Sequence, residues 1–230
     1  MESVTIHGYG CTDIGYSRSL NEDFYDMNNF LFVLADGMGG HNAGKIASKL
    51  AVKSIMKYIH CIDDSEFDEH SDEKKIQQIL YDVIINANET VFKKSLHNIG
   101  YEGMGTTLVL ALFQKPQTIH IANVGDSRAY LLRNDKLKMI TEDHSVTATM
   151  LRDGIITKSE ARTHPFRHQL SRSIGTSKNV NAFTNFFNVI PEDRILLCSD
   201  GLWDVLSDGE ITTILQKHTF PQKICEGLIT

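Results

Sequence analysis

The spacing of apolar and polar positions divides the chain into stretches of different period. Residues 30–35 (FLFVLA) are apolar throughout, the mark of a strand covered on both faces, and residues 3–9 predict a further strand ahead of it. From Asn42 to about Ile59 the period lengthens, with Ile46, Ala47, Leu50, Ala51 and Ile55 at helical spacing. Ile76, Leu80, Val83, Ala87, Val91 and Leu96 predict a second amphipathic helix, antiparallel to the first, with Ser71 or Asp72 placed to cap it. Both helices need a sheet face on which to bury their apolar stripes.

Beyond Thr106 the strand period returns. TTLVLALF, TIHIANV, RAYLLR and KLKMI, punctuated by the turn formers QKPQ and RNDK, predict an antiparallel meander. Residues 144–178 lose periodicity and are expected to form short helices and loops, a surface flap. NAFTNFFNV and RILLCS predict two more strands, followed by helices after Ser207 and after Pro221. Locally paired strands and helices arriving in pairs predict an α+β fold: a four-layer helix, sheet, sheet, helix sandwich with two mostly antiparallel sheets, residues 1–230 forming one domain.

With 230 residues and 41% hydrophobic content, the chain can bury a continuous core. Its net charge of -6 argues against a nucleic-acid partner, which would call for a basic surface. Cys11, Cys61, Cys198 and Cys225 are far apart and form no CxxC, as reduced thiols do. The start Met1, Glu2, Ser3 lacks the basic and apolar regions of a signal peptide, and apolar runs such as 30–35 are far too short to span a bilayer. A cytoplasmic protein with no membrane partner is the expectation. The flap runs against the overall charge, with Arg152, Lys158, Arg162, Arg167, Arg172 and Lys178 set against Asp153 and Glu160. Such a cluster is either a solvated face or a field that steers anionic ligands.

Three segments, FLFVLADGMGGH, IANVGDSRAY and RILLCSDGLWD, each leave an apolar run at an aspartate. Asp36, Asp126 and Asp200 are thereby placed where strands end, on a rigid scaffold. Carboxylates gathered at one cleft cannot all stay ionised near neutral pH unless a proton or cation compensates. Hard oxygen donors without a His or Cys cluster suit Mg2+ or Mn2+, and the chemistry implied is metal-assisted reaction of a phosphate. Asp204, four residues after Asp200, either shares an ion with it or belongs to a capping arrangement. In SRSLNEDF, Arg18 can serve a phosphate while Glu22 and Asp23 serve a metal, or the three form a solvated turn. Gly37, Gly39 and Gly40 let the backbone approach a ligand, and His41 is a proton donor or a helix-start residue.

Taken in order, RSLNEDF, LADGMGGHNAGKIAS, GMGTTLVLA, ANVGDSRAYLLR, LRDGIITKSEA with HPFRHQLSRSIG, and LLCSDGLWDVLSDGEI resemble the metal-dependent protein phosphatase 2C family in its short bacterial form, over nearly the whole chain. The resemblance implies a serine/threonine phosphatase acting on phosphorylated proteins, the products of serine/threonine kinases, with a centre of two Mn2+ or Mg2+ ions and a weaker third site. By motif, Asp36 corresponds to the carboxylate bridging both ions, the Gly37 carbonyl to a ligand of one, and Asp200 to a ligand of the other. Glu22 and Asp23 correspond to acids that hold metal-bound waters, Asp126 with Asp200 and Asp204 to the third site, and Arg18 to the arginine that clamps phosphate. The implied reaction is in-line attack by an activated water, without a phosphoenzyme.

The chain departs from the family pattern at Lys45, which stands where such sequences often have an acid, and in two further places. Met38 stands where eukaryotic relatives have a histidine, so the leaving-group proton comes from water, His41 or a flap histidine. The Gly-rich turn and Asp-Asn pair that precede the family's final strand do not occur before Thr230. Either the sequence is shortened there, or one core ligand is missing and the alternative expectation is a catalytically weakened or inactive phosphoprotein-binding homologue.

Overall fold

A computed structural model describes residues 5–16, 18–40, 42–68 and 71–229. Its strands are β1 (Asp23–Met27), β2 (Leu31–Met38), β3 (Gly105–Thr106), β4 (Leu108–Gln114), β5 (Thr118–Val124), β6 (Arg128–Arg133), β7 (Lys136–Met139), β8 (Phe183–Asn188) and β9 (Arg194–Cys198). Its α-helices are α1 (Ala43–His60), α2 (Glu73–Leu96), α3 (Val146–Arg152), α4 (Lys158–Thr163), α5 (Asp200–Trp203), α6 (Asp208–Lys217) and α7 (Pro221–Leu228). One antiparallel sheet runs β1-β2-β4-β5-β8, with β3 extending the end of β2, and a second runs β7-β6-β9.

The all-apolar runs become the central strands, and each divides its side chains between two cores. On β2, Leu31, Val33 and Ala35 face the helices while Phe32 and Leu34 face the second sheet; on β4, Leu108, Leu110 and Leu112 take the first side and Val109, Ala111 and Phe113 the second. Period 2 permits no other arrangement for a strand covered on both faces. A third core, Leu132, Ile211, Leu215, Ile224 and Leu228, joins the outer face of β6 to α6 and α7. The result is the expected α+β sandwich: α1 and α2, sheet, sheet, α6 and α7. No helix among the described residues is long and apolar enough to cross a membrane.

The helix that follows β2 presents small residues to the sheet: Ala43, Gly44, Ala47, Ser48 and Ala51 are all buried. Small side chains let the α1 axis lie close to β2, which matters for the site described below. Asp72, one of the two expected capping residues, accepts from the Lys74 N–H at 3.2 Å and starts α2. Mid-helix, Ser54 of α1 donates to Asn86 of α2 at 2.7 Å.

Two sequence expectations are corrected. Of the strand predicted at 3–9, residues 3 and 4 lie outside the described residues and 5–9 form no strand; Ile6 only packs against the core between the sheets. The strand ahead of β2 is instead Asp23–Met27, which pairs with one edge of β2 and whose sequence DFYDM carries no apolar run. The predicted meander is in fact two hairpins in different sheets, β4-β5 and β6-β7. Between β5 and β6 the backbone turns through Gly125 at φ +99°, a left-handed conformation that glycine adopts without strain, and the chain passes to the second sheet. The β6-β7 turn does follow the expected chemistry, with Asn134 and Asp135 both at positive φ.

Residues 144–178 carry α3 and α4 joined by loops, as the loss of periodicity predicts. The segment is rooted at both ends by isolated bridges, Ser145 with Leu170 and Thr106 with Ile174. Asn88, fully buried on α2, holds the far root: it accepts from Gly175 N–H at 2.8 Å and donates to the carbonyls of Ser177 and Lys178.

Candidate active site

The antiparallel register of β1 and β2 sets Asp23 directly opposite Asp36. Residues opposed in this way project from the same face of a sheet, so the pairing itself brings two carboxylates together. Asp200 arrives from the other sheet, at the first position of α5 immediately after β9. Ser199, just before it, donates to Asp23 Oδ2 at 2.8 Å and ties the two sheets at this point.

Crowding sets the electrostatics. Burial, and then the Asp23 and Asp200 charges, push the Asp36 carboxyl up to about 9, and Asp36 hydrogen-bonds to both of those side chains. Burial also raises Asp23, against the opposing pull of its hydrogen bonds with Ser199 and Asp36. Asp126, 5% exposed, is pushed up to about 7 by burial first and then by the charges of Asp200 and Asp143. Near neutral pH these acids share protons, the alternative to a cation.

The backbone around Asp36 is clamped. Thr107 Oγ1 accepts from the Asp36 N–H at 2.9 Å, and Thr107 N–H and Thr106 Oγ1 both donate to the Asp36 carbonyl at 2.8 Å. Thr106 also exchanges both backbone hydrogen bonds with Ile174 at the flap root. Gly37 sits against Gly44 of α1 so closely that a Cβ on Gly37 would lie 2.0 Å from the Gly44 carbonyl oxygen, and a Cβ on Gly44 would lie 2.3 Å from Glu22 Oε1. Gly44 is therefore part of the wall of the site, a residue that sequence reasoning missed because a glycine inside an amphipathic helix carries no chemical signal.

Glu22 is anchored through its backbone: its carbonyl accepts from Gly37 N–H at 3.1 Å and from Ser48 Oγ at 2.6 Å. Its carboxyl is raised by burial, with Arg18 pulling it back down. Oε1 of Glu22 is buried without a hydrogen-bond partner. An orphaned carboxylate oxygen beside a crowded acid cluster fits a missing cation or its water, and the all-oxygen donor set fits Mg2+ or Mn2+. No group of three or more His, Cys, Asp or Glu among the described residues is already arranged to hold a metal ion. Magnesium-like ions take few protein ligands and keep several waters, so such a site does not require a closed protein cage.

The other predicted residues fall as follows. Arg18 is largely exposed, with one guanidinium nitrogen 3.7 Å from Glu22 Oε2. Asp126 is held by the Trp203 indole, which donates to its carbonyl at 2.9 Å, while Arg128 stacks on that indole and pairs with Asp143. This support was not evident from spacing, because Arg128, Asp143 and Trp203 come from separate segments. Asp204 joins through its backbone, its N–H donating to the Asp200 carbonyl at 2.9 Å; its side chain is exposed. His41 lies outside the described residues. The flap does bring a histidine near, with His168 Nδ1 3.8 Å from Asp200 Oδ2. Beside Met38 a cavity of about 560 Å³ opens under the flap, lined by His168, Arg172, Ser173 and Thr176 among others.

Comparison with known proteins gives consistent matches. The family model for protein phosphatase 2C matches residues 17–224. The serine/threonine phosphatase stp of Listeria innocua is 37% identical over 227 residues, covering 95% of this chain and 86% of the relative. Among solved structures, the serine/threonine phosphatase Stp1 from Staphylococcus aureus superposes with a TM-score of 0.84 at 33% identity, covering 99% of this chain and 91% of that one. The catalytic domain of the serine/threonine protein phosphatase PstP, solved in complex with two manganese ions, gives a TM-score of 0.82 at 31% identity, covering 94% and 86%.

Proposed function

The chain belongs to the protein phosphatase 2C family, a metal-dependent serine/threonine phosphatase, and we propose that it hydrolyses phosphoserine and phosphothreonine in proteins phosphorylated by serine/threonine kinases, at the cluster of Asp23, Asp36 and Asp200. The observation that carries this reading is the Asp36 carboxyl, driven up to about 9 by burial and by the two acids beside it. A carboxyl so perturbed, next to a buried Glu22 oxygen without a partner, is the setting in which a bound cation replaces the shared proton.

Asp36, Asp200 and the Gly37 carbonyl would hold two Mn2+ or Mg2+ ions, Glu22 and Asp23 the waters around them, and Asp126 with Asp200 and Asp204 a weaker third ion. When bound, such ions supply an acidified water nucleophile and offset charge on the phosphoryl oxygens. The remaining work belongs to the protein. The clamp from Thr106 and Thr107 fixes Asp36 against the sheet, and Ser199 fixes Asp23, so the acids keep their positions when charge is added. Arg18, exposed and only loosely paired, can turn its guanidinium to a phosphate dianion and donate two parallel hydrogen bonds. The hydroxyl-lined cavity beside Met38 accommodates the chain that carries the phosphorylated residue, and Arg172 adds positive charge there.

The decisive experiment is phosphate release from a phosphothreonine peptide during a Mn2+ titration. Turnover that rises with Mn2+ and disappears with chelator supports the reading. Hydrolysis of an aryl phosphate with no turnover of phosphopeptide overturns it in favour of a small-molecule esterase.

A further inference from the structure

Away from the acid cluster, the segment ahead of β1 is held from both sides. The Tyr25 hydroxyl of β1 donates to the Gly10 carbonyl at 2.7 Å, and the Cys225 thiol of α7 donates to the Tyr9 carbonyl at 3.5 Å. Cys11 lies one residue beyond that grip, and each of the two thiols acts on the other's ionisation. Two thiols from opposite ends of the chain are thus brought to the same place by the hold of Cys225 on Tyr9 and of Tyr25 on Gly10. Both are partly accessible, whereas Cys61 is exposed and Cys198 is buried. Nothing in the phosphatase reading uses this pair.

We propose that Cys11 and Cys225 are an oxidisable pair that closes to a disulfide under peroxide, locking the segment that leads into Arg18, Glu22 and Asp23 onto α7. The chemistry balances with one equivalent of hydrogen peroxide. The Cys11 thiolate attacks one peroxide oxygen, the O–O bond breaks, and hydroxide leaves to become water, giving a sulfenic acid. The Cys225 thiolate then attacks that sulfur, the S–O bond breaks, and a second water leaves as the S–S bond forms. Two thiols and a peroxide become a disulfide and two waters.

The order of attack follows from the surroundings. Burial raises both thiols, and Cys225, facing Cys11 and Glu226, goes up to about 12, so Cys11 is the first to ionise. Tyr9 and Tyr25 complete the group of titratable neighbours. Raised thiols react slowly at neutral pH, which makes this a lock set by sustained oxidation rather than a fast sensor.

A disulfide between positions so far apart in sequence constrains the unfolded chain strongly. The test treats the reduced protein with hydrogen peroxide at mildly alkaline pH, blocks the remaining thiols with iodoacetamide, and maps the peptides by mass. The expected result is a Cys11–Cys225 linked peptide, a melting temperature higher by ~5–10 °C, and reversal of both by dithiothreitol. Cys11→Ser and Cys225→Ser should each abolish the linked peptide and the shift. Recovery of Cys11 and Cys225 as separate alkylated or sulfinic residues under conditions that oxidise the exposed Cys61 overturns the proposal. The mapping of the unmodified sequence decides the matter even if a serine variant fails to fold.

Discussion

Replacing Asp36 with asparagine separates the electrostatic argument from the rest of the structure. In the metal-free protein Asp36 keeps its proton up to about 9, while in the unfolded chain the same carboxyl ionises near its ordinary 3.8. Between those values folding takes up a proton, so stability falls as pH rises, by ~1.4 kcal/mol per pH unit for one such group. Asp126, raised to about 7, contributes to the same trend only below that pH. From pH ~7 to ~8.5 the Asp36 contribution alone is therefore ~2 kcal/mol, or a melting temperature lower by ~4–8 °C for a chain of this size. An amide at this position has no proton to lose. The Asp36→Asn variant should already melt higher than the parent at pH ~7, where this linkage has cost the parent ~4 kcal/mol since the ordinary carboxylate range, show a much shallower decline to pH ~8.5, and have no metal-dependent turnover. Mn2+ should raise the melting temperature of the parent and leave the variant nearly unmoved. Differential scanning fluorimetry in chelator, then in Mn2+, at closely spaced pH values makes the measurement. A metal-free parent whose melting temperature is flat over this interval, or a variant with the parent's slope, would refute the reasoning.

Gly44→Ala, ordinarily stabilising inside a helix by ~1 kcal/mol, should here destabilise by ~1–3 kcal/mol, because the new methyl meets Glu22 and the Gly37 backbone. A denaturant midpoint that rises instead would show that α1 has room to move. Arg18→Lys should lower kcat/KM on a phosphopeptide roughly tenfold, as a point charge replaces a two-pronged donor, with little change in melting temperature because the side chain is exposed. An equal loss from the same change at another exposed arginine, such as Arg162 of α4, would remove the case for Arg18. Asn88→Ala should leave three flap-root groups without their partner, costing ~1–3 kcal/mol, and should speed proteolysis between 144 and 178 ahead of global unfolding; cleavage at parental rates would refute it.

What could be read from the chain was whatever is periodic or local. The run 30–35 announced a central strand because both of its faces are covered, TTLVLALF announced a strand without its central place, and α1 and α2 declared themselves through their apolar stripes. Asp36 and Asp200 were visible because each follows an apolar run, though only Asp200 lies beyond its strand: β2 continues through Asp36 to Met38. β1 escaped because DFYDM is an edge strand with half-buried side chains, held by its register to β2 rather than by its own pattern. The assignment of β4-β5 and β6-β7 to different sheets depends on a turn at Gly125 and on contacts distant in sequence, which no local window contains. Gly44, Thr106, Thr107 and Ser199 likewise act through position alone. Asp204, whose four-residue spacing from Asp200 allowed a shared ion or a capping arrangement, is joined to Asp200 through the backbone of a short helix, a contact that spacing alone does not specify.

Thr106 binds the Asp36 carbonyl with its hydroxyl and the far root of the flap with its peptide group. A single residue thus gives the surface excursion and Asp36 a common footing. The two are thereby linked by hydrogen bonds that meet at one residue. A substitution that displaced Thr106 would therefore be felt at both the flap root and the strand that carries Asp36.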